Sequence, residues 1–399
     1  MSFIADGHAI QAQLVRIRRL LHQDPEVGLD LPMTQALVLA ELKGLGLEIT
    51  RGRSSTSVTA VLRGAKPGRT VLLRGDMDAL PIREDTGLDF ASTNGSMHAC
   101  GHDLHTAALV GAARILSRHR ATLQGNVIFM FQPGEEGHGG ALAMLQEGVL
   151  QATGEHPIAA FAIHAVTGAR GIFHVRSGPT LAGSNELRVT ITGAGGHAAK
   201  PHHAVDPVPA IAELVTALQT MATRRFSVFD PVVITVTQLE AGDAMNIIPA
   251  SARLGASVRT LSDESTKRVA KEAKRLADGI AAAHNCLAQV IFDVQNPVTY
   301  SDPETTRKSA QALREMFGTE RVAMERFPDM PSEDFSYVLK EVPGTFITLS
   351  CTPEGVDAAT AANNHSGRVL FDDAVLGDQA AALAQLAWST LEDASAGLA

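Results

Sequence analysis

The chain has 399 residues, of which 45% are hydrophobic and 19% charged, a composition typical of a folded globular protein rather than of a largely disordered one. Its length exceeds what one hydrophobic core usually supports, so two domains are expected. The formal net charge of -9, without clusters of Lys and Arg, argues against general attraction to nucleic acid or to an anionic membrane.

The cysteine content and the first residues indicate a compartment. Cys100, Cys286 and Cys351 form a sparse and odd set that is not typical of a disulfide framework, and core packing is expected for the last two. The first 23 residues contain no apolar run followed by a small-residue cleavage site, and no apolar run reaches about 18 residues. We therefore expect a cytoplasmic protein with neither an export signal nor a membrane span.

The first half of the chain alternates helical and strand-like segments. Apolar residues recur at helical spacing over 8–23, 33–46 and 104–119. Four short runs are continuously apolar and then turn abruptly polar: SVTAVLRG, TVLLRGD, NVIFMFQPGEE and IAAFAIHAV. Such strands, separated by helices, predict an α/β domain with a largely parallel mixed sheet flanked by helices.

The pattern changes between residues 181 and 295. Strand-like and helical segments follow there in the order β-α-β-β-α-β, which is the order of an α+β ferredoxin-like unit. After it, a helix over 304–317, the strand TFITLS and a helix over 374–391 return to the earlier style. We therefore predict a main domain built from residues 1–180 and 296–399, with an inserted domain over 181–295.

Polar side chains follow the ends of four predicted strands of the main domain. Ligands of open α/β sheets collect outside the carboxyl ends of the strands, so these side chains are expected at one rim. The helix that starts near Cys100, within MHACGHDLHTA, is expected at the same rim. The side chains that the strands deliver there are Asp76, Asp78, Glu135, Glu136, His164 and His365.

This set of side chains predicts a metal site. Thiolate, imidazole and carboxylate are the groups that bind Zn²⁺ and its neighbours in the transition series, so Mn²⁺, Co²⁺ and Ni²⁺ are also admitted. Five donors are too many for one tetrahedral ion and suit two divalent ions. Asp78 and Asp103 are expected to hold a ligand imidazole through its second nitrogen. The five candidate ligands are Cys100, His102, Glu136, His164 and His365.

The adjacent carboxylates of Glu135 and Glu136 predict a division of roles. Neighbouring side chains usually diverge, so Glu136 can ligate a cation while Glu135 faces the open position. A carboxylate placed there is suited to act as a general base toward a water molecule. This arrangement is typical of metal-assisted hydrolysis of an amide.

Several motifs resemble those of one enzyme family. RGDMDALPI, MHACGHDLHTAALVGAA, FQPGEEGHGGA, GGHAAKPHHAVDPV, MNIIP and NNHSG are similar to motifs of the dinuclear metallo-amidohydrolases, and they occur in the same order through nearly the whole chain. That family includes aminoacylase, hippurate hydrolase, auxin-conjugate hydrolase and N-acetyldiaminopimelate deacetylase, and it is related to the dinuclear zinc carboxypeptidases. The resemblance is to its cysteine-containing branch.

The resemblance implies further roles. It matches the five donors to metal ligands and Glu135 to the catalytic base. His197 matches a histidine of the inserted domain that reaches the active site of a partner subunit and stabilises the oxyanion, which implies a homodimer joined through this dimerisation or lid domain. Asn246 and Arg259 match positions that contact the substrate. Asp76 is a departure, because the related carboxypeptidases carry a histidine ligand there.

The implied reaction is hydrolysis of small N-acyl amino acids, either hippurate-like or N-acetylated. Hydrolysis of dipeptides or of peptides from their carboxyl end is the alternative. Two other hypotheses remain: a thiol amidase with Cys100 as nucleophile and His102 as base, and a non-catalytic metal-dependent binding protein. A thiol amidase would stay active when metal is removed by a chelator, whereas a metal enzyme would not. A metal-dependent binding protein has no need of Glu135 as an unligated base, whereas an enzyme does.

Overall fold

The structure of the chain, a computed structural model, describes residues 3–396. Within them, one compact unit comprises residues 3–180, 300–327 and 334–396, and a second comprises residues 181–299 and 328–333. The predicted insertion over 181–295 thus lies inside the second unit. That unit also takes residues 296–299 and the short segment 328–333.

Helices and strands alternate through most of the described residues. The helices are α1 (Ile4–Gln23), α2 (Pro32–Leu42), α3 (His102–Arg118), α4 (Gly140–Gln146), α5 (Pro207–Arg225), α6 (Asp263–Ala283), α7 (Pro303–Phe317), α8 (Ser336–Glu341) and α9 (Leu376–Ala396). The strands are β1 (Glu48–Arg51), β2 (Val58–Arg63), β3 (Lys66–Asp76), β4 (Gln124–Gln132), β5 (Ala159–Val166), β6 (Phe173–Val175), β7 (Gly178–Leu181), β8 (Gly183–Thr192), β9 (Gly196–His197), β10 (Val233–Ala241), β11 (Ile247–Ile248), β12 (Ser251–Thr260), β13 (Leu287–Asn296), β14 (Thr299–Ser301), β15 (Val322–Met324) and β16 (Gly344–Ser350).

The first unit is built on a mixed sheet. Among the described residues this sheet has eight strands in the order β1-β2-β4-β3-β5-β16-β6-β15. The central strands β4, β3, β5 and β16 run parallel to one another, whereas β1, β2 and the β16–β6 pair add antiparallel neighbours. Val71, Leu72 and Leu73 of β3 are fully buried, as expected for a strand covered on both faces.

Helices pack against this sheet and against one another. α1, α3 and α9 form mutual contacts, and α9 also packs on β3. The apolar residues of these helices and of the central strands form one hydrophobic core. The predicted α/β fold with a large mixed sheet flanked by helices is therefore confirmed.

The second unit has its own sheet and its own core. Four antiparallel strands lie in the order β10-β12-β8-β13, and α5 and α6 pack against them. Leu187, Val189 and Ile191 alternate along β8 and are buried in this core, which is the period of two expected for a half-covered strand. Both helices are capped at their N-termini, by Asp206 for α5 and by Ser262 for α6.

Over residues 3–396, none of the helices combines the length and the apolar character that crossing a membrane requires.

Candidate metal centre

Three parallel strands end at one edge of the mixed sheet and carry polar residues there. Asp76 ends β3 opposite Gln132, which ends β4 and precedes the loop with Glu135 and Glu136. His164 lies near the end of β5. Because parallel strands share the direction of their carboxyl ends, these side chains emerge on the same side.

The start of α3 contributes the residues that follow Cys100. Gly101 precedes the helix with φ 81°, in the left-handed region that residues with a side chain rarely adopt. A Cβ atom at this position would lie 2.9 Å from the Cβ atom of Ala165. Glycine therefore allows the chain to turn so that Cys100 and His102 both approach the end of β5.

The five predicted metal donors come together in the first unit. Within each group described here, the ligand-type atoms lie no more than 4.8 Å apart. One group contains one atom each from Cys100, Glu136 and His365, and a second contains His102 with Glu135 and Glu136. A third group consists of Asp76, His102, His105 and His164. Direct contacts join these groups, because Cys100 Sγ lies 3.5 Å from His164 Nε2 and His365 Nε2 lies 3.2 Å from Glu136 Oε1.

The two buried imidazoles present the same nitrogen to the centre. His102 donates its Nδ1–H to the carbonyl oxygen of Asp78 at 2.8 Å, and His164 donates its Nδ1–H to the carbonyl oxygen of Ala165 at 2.8 Å. In the neutral ring, the form that binds metal, each Nε2 atom therefore carries a lone pair. His102 Nε2 is buried and makes no hydrogen bond with any of the described residues, so the donor set fits a metal ion at this point.

His365 has a left-handed backbone conformation. Its φ of 67° is uncommon for a residue other than glycine, although histidine, like asparagine and aspartate, adopts it more often than most. Its amide donates to the carbonyl oxygen of Ala99 at 2.9 Å, and the side chain of the preceding Asn364 donates to the carbonyl oxygen of Ala165 at 3.0 Å. These bonds fix the exposed imidazole beside Cys100 and Glu136.

Asp78 positions the glutamate pair. Its two carboxylate oxygens accept the backbone amides of Glu135 and Glu136, each at 3.0 Å. Its Oδ1 atom also lies 3.5 Å from His102 Nδ1. The Asp78 carboxylate thus lies near a predicted ligand imidazole, whose hydrogen bond is accepted by the Asp78 backbone carbonyl. It also fixes the backbone of the loop that carries both glutamates, which the sequence did not indicate.

The electrostatics of the centre favour a cation. Burial alone would lower the pKa of His102, but the nearby Asp76 carboxylate and the bonds to Asp78 and Cys100 outweigh it and raise this pKa well above the ordinary value. Hydrogen bonds to Cys100 and Glu136 raise the pKa of His365 to about 10. The anionic side chains that stabilise protonated imidazoles here would equally stabilise a divalent ion.

Asp103 lies in a different network. Its carboxylate accepts hydrogen bonds from Arg18 Nε at 2.6 Å and from His22 Nδ1 at 2.8 Å. His22 in turn contacts Glu84 at 3.1 Å. The described contacts of Asp103 therefore connect α1 to the start of α3 and do not include a predicted ligand imidazole.

The remaining predicted residues lie in the second unit. His197 is exposed on β9 and pairs with Ile247 of β11, directly after Asn246, whose carbonyl oxygen accepts the amide of Ala198 at 3.1 Å. His197 Nδ1 accepts the amide of Ala199 at 3.1 Å, so the proton of the neutral ring lies on Nε2. Arg259, on β12, is half-buried; its Nη1 atom is buried and has no hydrogen-bond partner among the described residues.

Two residues of the centre were not among the predicted site residues. Asp76 and His105 are buried and hydrogen-bonded to each other at 2.5 Å beside His102 and His164. Asp76 was recognisable as a strand-end carboxylate. For His105, the available signal in the sequence was its position one helical turn after His102.

A mixed α/β sheet whose strand ends gather thiolate, imidazole and carboxylate donors defines a metal-binding α/β protein. Comparison with known families and proteins identifies the class more closely. The family model described as peptidase family M20/M25/M40 matches residues 72–389. This chain belongs to that family.

Similar proteins cover nearly the whole chain. Thermostable carboxypeptidase 1 of Saccharolobus solfataricus is 34% identical over 93% of each chain. N-acetylcysteine deacetylase of Bacillus subtilis is 34% identical over 86% of this chain and 89% of its own, and the IAA-amino acid hydrolase ILR1-like 2 of Arabidopsis thaliana is 36% identical over 95% and 85%. A solved structure of the Bacillus subtilis protein YxeP, described as a dinuclear metal binding peptidase from the M20 family, matches with a TM-score of 0.83 and 30% identity over 96% of this chain and 99% of that one.

These comparisons confirm the resemblance to the metallo-amidohydrolases. The chain is an amidohydrolase of this family, and the donor set described above is its candidate metal centre.

Proposed function

We propose that this enzyme hydrolyses the amide bond of N-acyl amino acids at a centre of two divalent metal ions. The ligands in this proposal are Cys100, His102, Glu136, His164 and His365. The observation that carries it is the convergence of these five side chains, together with Glu135, at one edge of the sheet. The substrate class is supported by relatives named as an N-acetylcysteine deacetylase and an IAA-amino acid hydrolase.

The donor set defines what each part of the centre contributes. Two divalent ions, when bound, polarise the amide carbonyl and make water a stronger nucleophile near neutral pH. The thiolate of Cys100 favours Zn²⁺, while the carboxylate and imidazoles admit Mn²⁺, Co²⁺ or Ni²⁺. Elemental analysis of the purified protein identifies the ion.

Glu135 is the general base in this proposal. Its side chain is 7% exposed, and Asp78 fixes its backbone next to Glu136. Its Oε1 atom lies 3.4 Å from the amide nitrogen of Asp334, which makes this hydrogen bond a long and weak one. Glu135 accepts a proton from the attacking water and donates it to the leaving amine as the amide bond breaks.

Residues of the second unit complete the proposal. His197 of the partner subunit donates its Nε2–H to the developing oxyanion, because its Nδ1 already accepts the amide of Ala199. Arg259 binds the carboxylate of the amino acid, which its half-buried guanidinium with an unsatisfied Nη1 atom supports. Asn246, next to His197 through the β9–β11 pair, contacts the substrate.

A homodimer through the inserted domain belongs to the same proposal. We infer that residues 181–295 form a ferredoxin-like unit, which the strand order β10-β12-β8-β13 and its antiparallel pairing support. β10 is an edge strand with exposed apolar side chains, Val233 and Leu239 among them, and such an edge is suited to pairing with a second copy. A cytoplasmic location remains a prediction from the sequence.

The decisive experiment compares the two adjacent glutamates. Glu135→Gln is expected to lower kcat on N-acetyl and N-benzoyl amino acids by about 10²- to 10⁴-fold with unchanged metal content, the range typical of a lost general base. Glu136→Gln is the matched variant, and it is expected to lose metal as well as activity. Wild-type enzyme treated with EDTA should lose activity and regain it on adding metal.

Two results contradict the proposal. Full activity of Glu135→Gln excludes it as the base. Activity that survives complete removal of metal favours the thiol amidase with Cys100 as nucleophile.

Hydrolysis of peptides is the second candidate, since a relative with 34% identity is named as a carboxypeptidase. Wild-type kcat/KM values measured on dipeptides and on N-acyl amino acids decide between them, because the class with the higher kcat/KM is the substrate class.

A further inference from the structure

His105 uses both of its ring nitrogens inside the protein. It is buried, its Nε2 lies 2.6 Å from the amide nitrogen of Ala165, and its Nδ1 lies 2.5 Å from Asp76 Oδ1. The amide of Ala165 can only donate, so His105 Nε2 must be the acceptor and the proton of the neutral ring lies on Nδ1. With both nitrogens engaged, His105 has none left for a metal ion.

The position of Ala165 explains why such a bond is needed. The parallel pairing of β3 with β5 ends at Arg74 and Ala162, although β3 continues to Asp76 and β5 to Val166. Beyond that point the amide of Ala165 is bonded to the imidazole of His105 instead of to a strand. A side chain thus satisfies a buried backbone donor where the sheet opens to form the centre.

The carbonyl group of Ala165 is bonded to residues in and beside the candidate ligand set. Its carbonyl oxygen accepts His164 Nδ1–H at 2.8 Å and Asn364 Nδ2–H at 3.0 Å. Asn364 directly precedes His365. The same short backbone segment therefore orients one candidate ligand directly and contacts the loop of another, and His105 holds that segment in place.

The carboxylate of Asp76 is itself held by a buried arginine. Its Oδ2 atom accepts a hydrogen bond from Arg74 Nη1 at 2.6 Å, and Arg74 also donates to Asp334 at 3.2 Å and to Gln132 at 2.9 Å. All four of these side chains are buried. A carboxylate held in this way can only accept, so it keeps the proton of His105 on Nδ1 and its lone pair on Nε2.

We propose that Asp76 and His105 are positioning residues that orient His164 for metal binding through the Ala165 backbone, and that neither is a ligand. This inference rests on the proposed metal centre. It gives Asp76 a role different from that of the histidine ligand implied at this position in the related carboxypeptidases.

Two substitutions of similar size separate the contacts of His105. Glutamine places its carbonyl oxygen near the position of Nε2, so His105→Gln can still accept the amide of Ala165. Asparagine places its amide near Nδ1, so His105→Asn keeps the contact with Asp76 and loses the one with Ala165. We expect His105→Asn to weaken Zn²⁺ binding at one of the two positions by about 10- to 100-fold, the usual cost of losing a group that orients a ligand, and His105→Gln to be affected much less.

The measurement uses zinc alone, by competition with a chelating dye, together with the visible absorption spectrum of the Co²⁺-loaded protein. The thermal melt of each metal-free variant reports folding. If His105→Asn does not fold, His105→Phe, which also lacks an acceptor for the Ala165 amide, carries the same expectation. Wild-type zinc affinity and an unchanged Co²⁺ spectrum in the folded variant overturn the proposal.

Equal losses in His105→Gln and His105→Asn also overturn it, because they indicate that His105 binds metal itself or only fills space. No substrate is involved, so the outcome is independent of the proposed reaction. A protein that needs His105 for zinc affinity but cleaves no N-acyl amino acid upholds this inference and refutes the function.

Discussion

His197 differs from the other candidate catalytic residues because its side chain is exposed and belongs to the second unit. Its ring orientation is nevertheless defined, since the amide of Ala199 donates to Nδ1. The Nε2–H group is therefore the donor that the neutral ring presents to a substrate. A residue that donates to an oxyanion in the active site of a partner subunit must be exposed and must present a defined N–H group. His197 has both properties.

Replacement of this donor should affect the rate and leave the metal centre intact. We expect His197→Ala to lower kcat by about 10²- to 10³-fold, the range for loss of one oxyanion donor, with metal content equal to the wild type. His203→Ala removes another exposed histidine of the same segment and should keep full activity. Steady-state kinetics with elemental analysis test this, and a kcat of His197→Ala close to the wild-type value contradicts the assigned role.

Three buried aspartates show how far the sequence predicts roles at the scale of single residues. The position of Asp76 and Asp78 after an apolar strand was sufficient to place both at the rim. Their partners were not predictable, because Asp78 accepts two loop amides, Asp76 bonds a histidine one helical turn into α3, and Asp103 pairs with Arg18 of α1. These contacts depend on which donors the folded chain brings close, and sequence spacing does not contain that information.

The start of α3 connects local backbone geometry to the metal centre. The sequence predicted a helix start near Cys100 with helical spacing over 104–119, and α3 begins at His102. The left-handed conformation of Gly101 directly before this start lets a candidate ligand occupy the first helical position, where the carbonyl oxygen of Asp78 fixes its ring. The first residue of α3 is therefore the candidate metal ligand His102.

Substitution of Gly101 tests this connection. Gly101→Ala places a side chain in the left-handed region, at a cost of about 1–2 kcal/mol, and forces a Cβ atom to 2.9 Å from Ala165. Gly139→Ala is the matched control, because Gly139 also precedes a helix with positive φ but has open space around it. We expect both to lower the melting temperature of the metal-free protein and only Gly101→Ala to weaken zinc binding.

Equal zinc affinity in Gly101→Ala and Gly139→Ala would show that the contact with Ala165 is unimportant for the centre.

Long buried strands were predictable and short ones were not. β3, β4, β5 and β16 each contain an apolar run ended by polar residues, which is a local signal. The two-residue strands β9 and β11 form because each pairs with the other, and the three-residue β6 and β15 likewise exist through pairing. Segments this short have no periodicity of their own, so the sequence alone could not show that they bring His197 beside Asn246.

At the scale of the whole molecule, residues 3–396 build two separate hydrophobic cores. One belongs to the mixed sheet and its helices and the other to the antiparallel sheet with α5 and α6. All five candidate metal ligands lie in the first unit. Metal binding should therefore stabilise the first unit directly and leave the intrinsic stability of the second unchanged.

Calorimetry with and without metal tests this division. A ligand at a hundredfold excess over its Kd stabilises the unit that binds it by about 2.7 kcal/mol. We expect EDTA to lower the temperature of the transition that belongs to the first unit by several degrees, while the transition of the second unit stays in place. The variant His365→Ala assigns the two transitions, because it removes a candidate ligand from the first unit and should abolish the shift caused by metal without altering the second transition. A single transition that EDTA shifts as a whole would mean that the two units unfold as one. No effect of EDTA on the transition of the first unit would mean that the five side chains hold no ion.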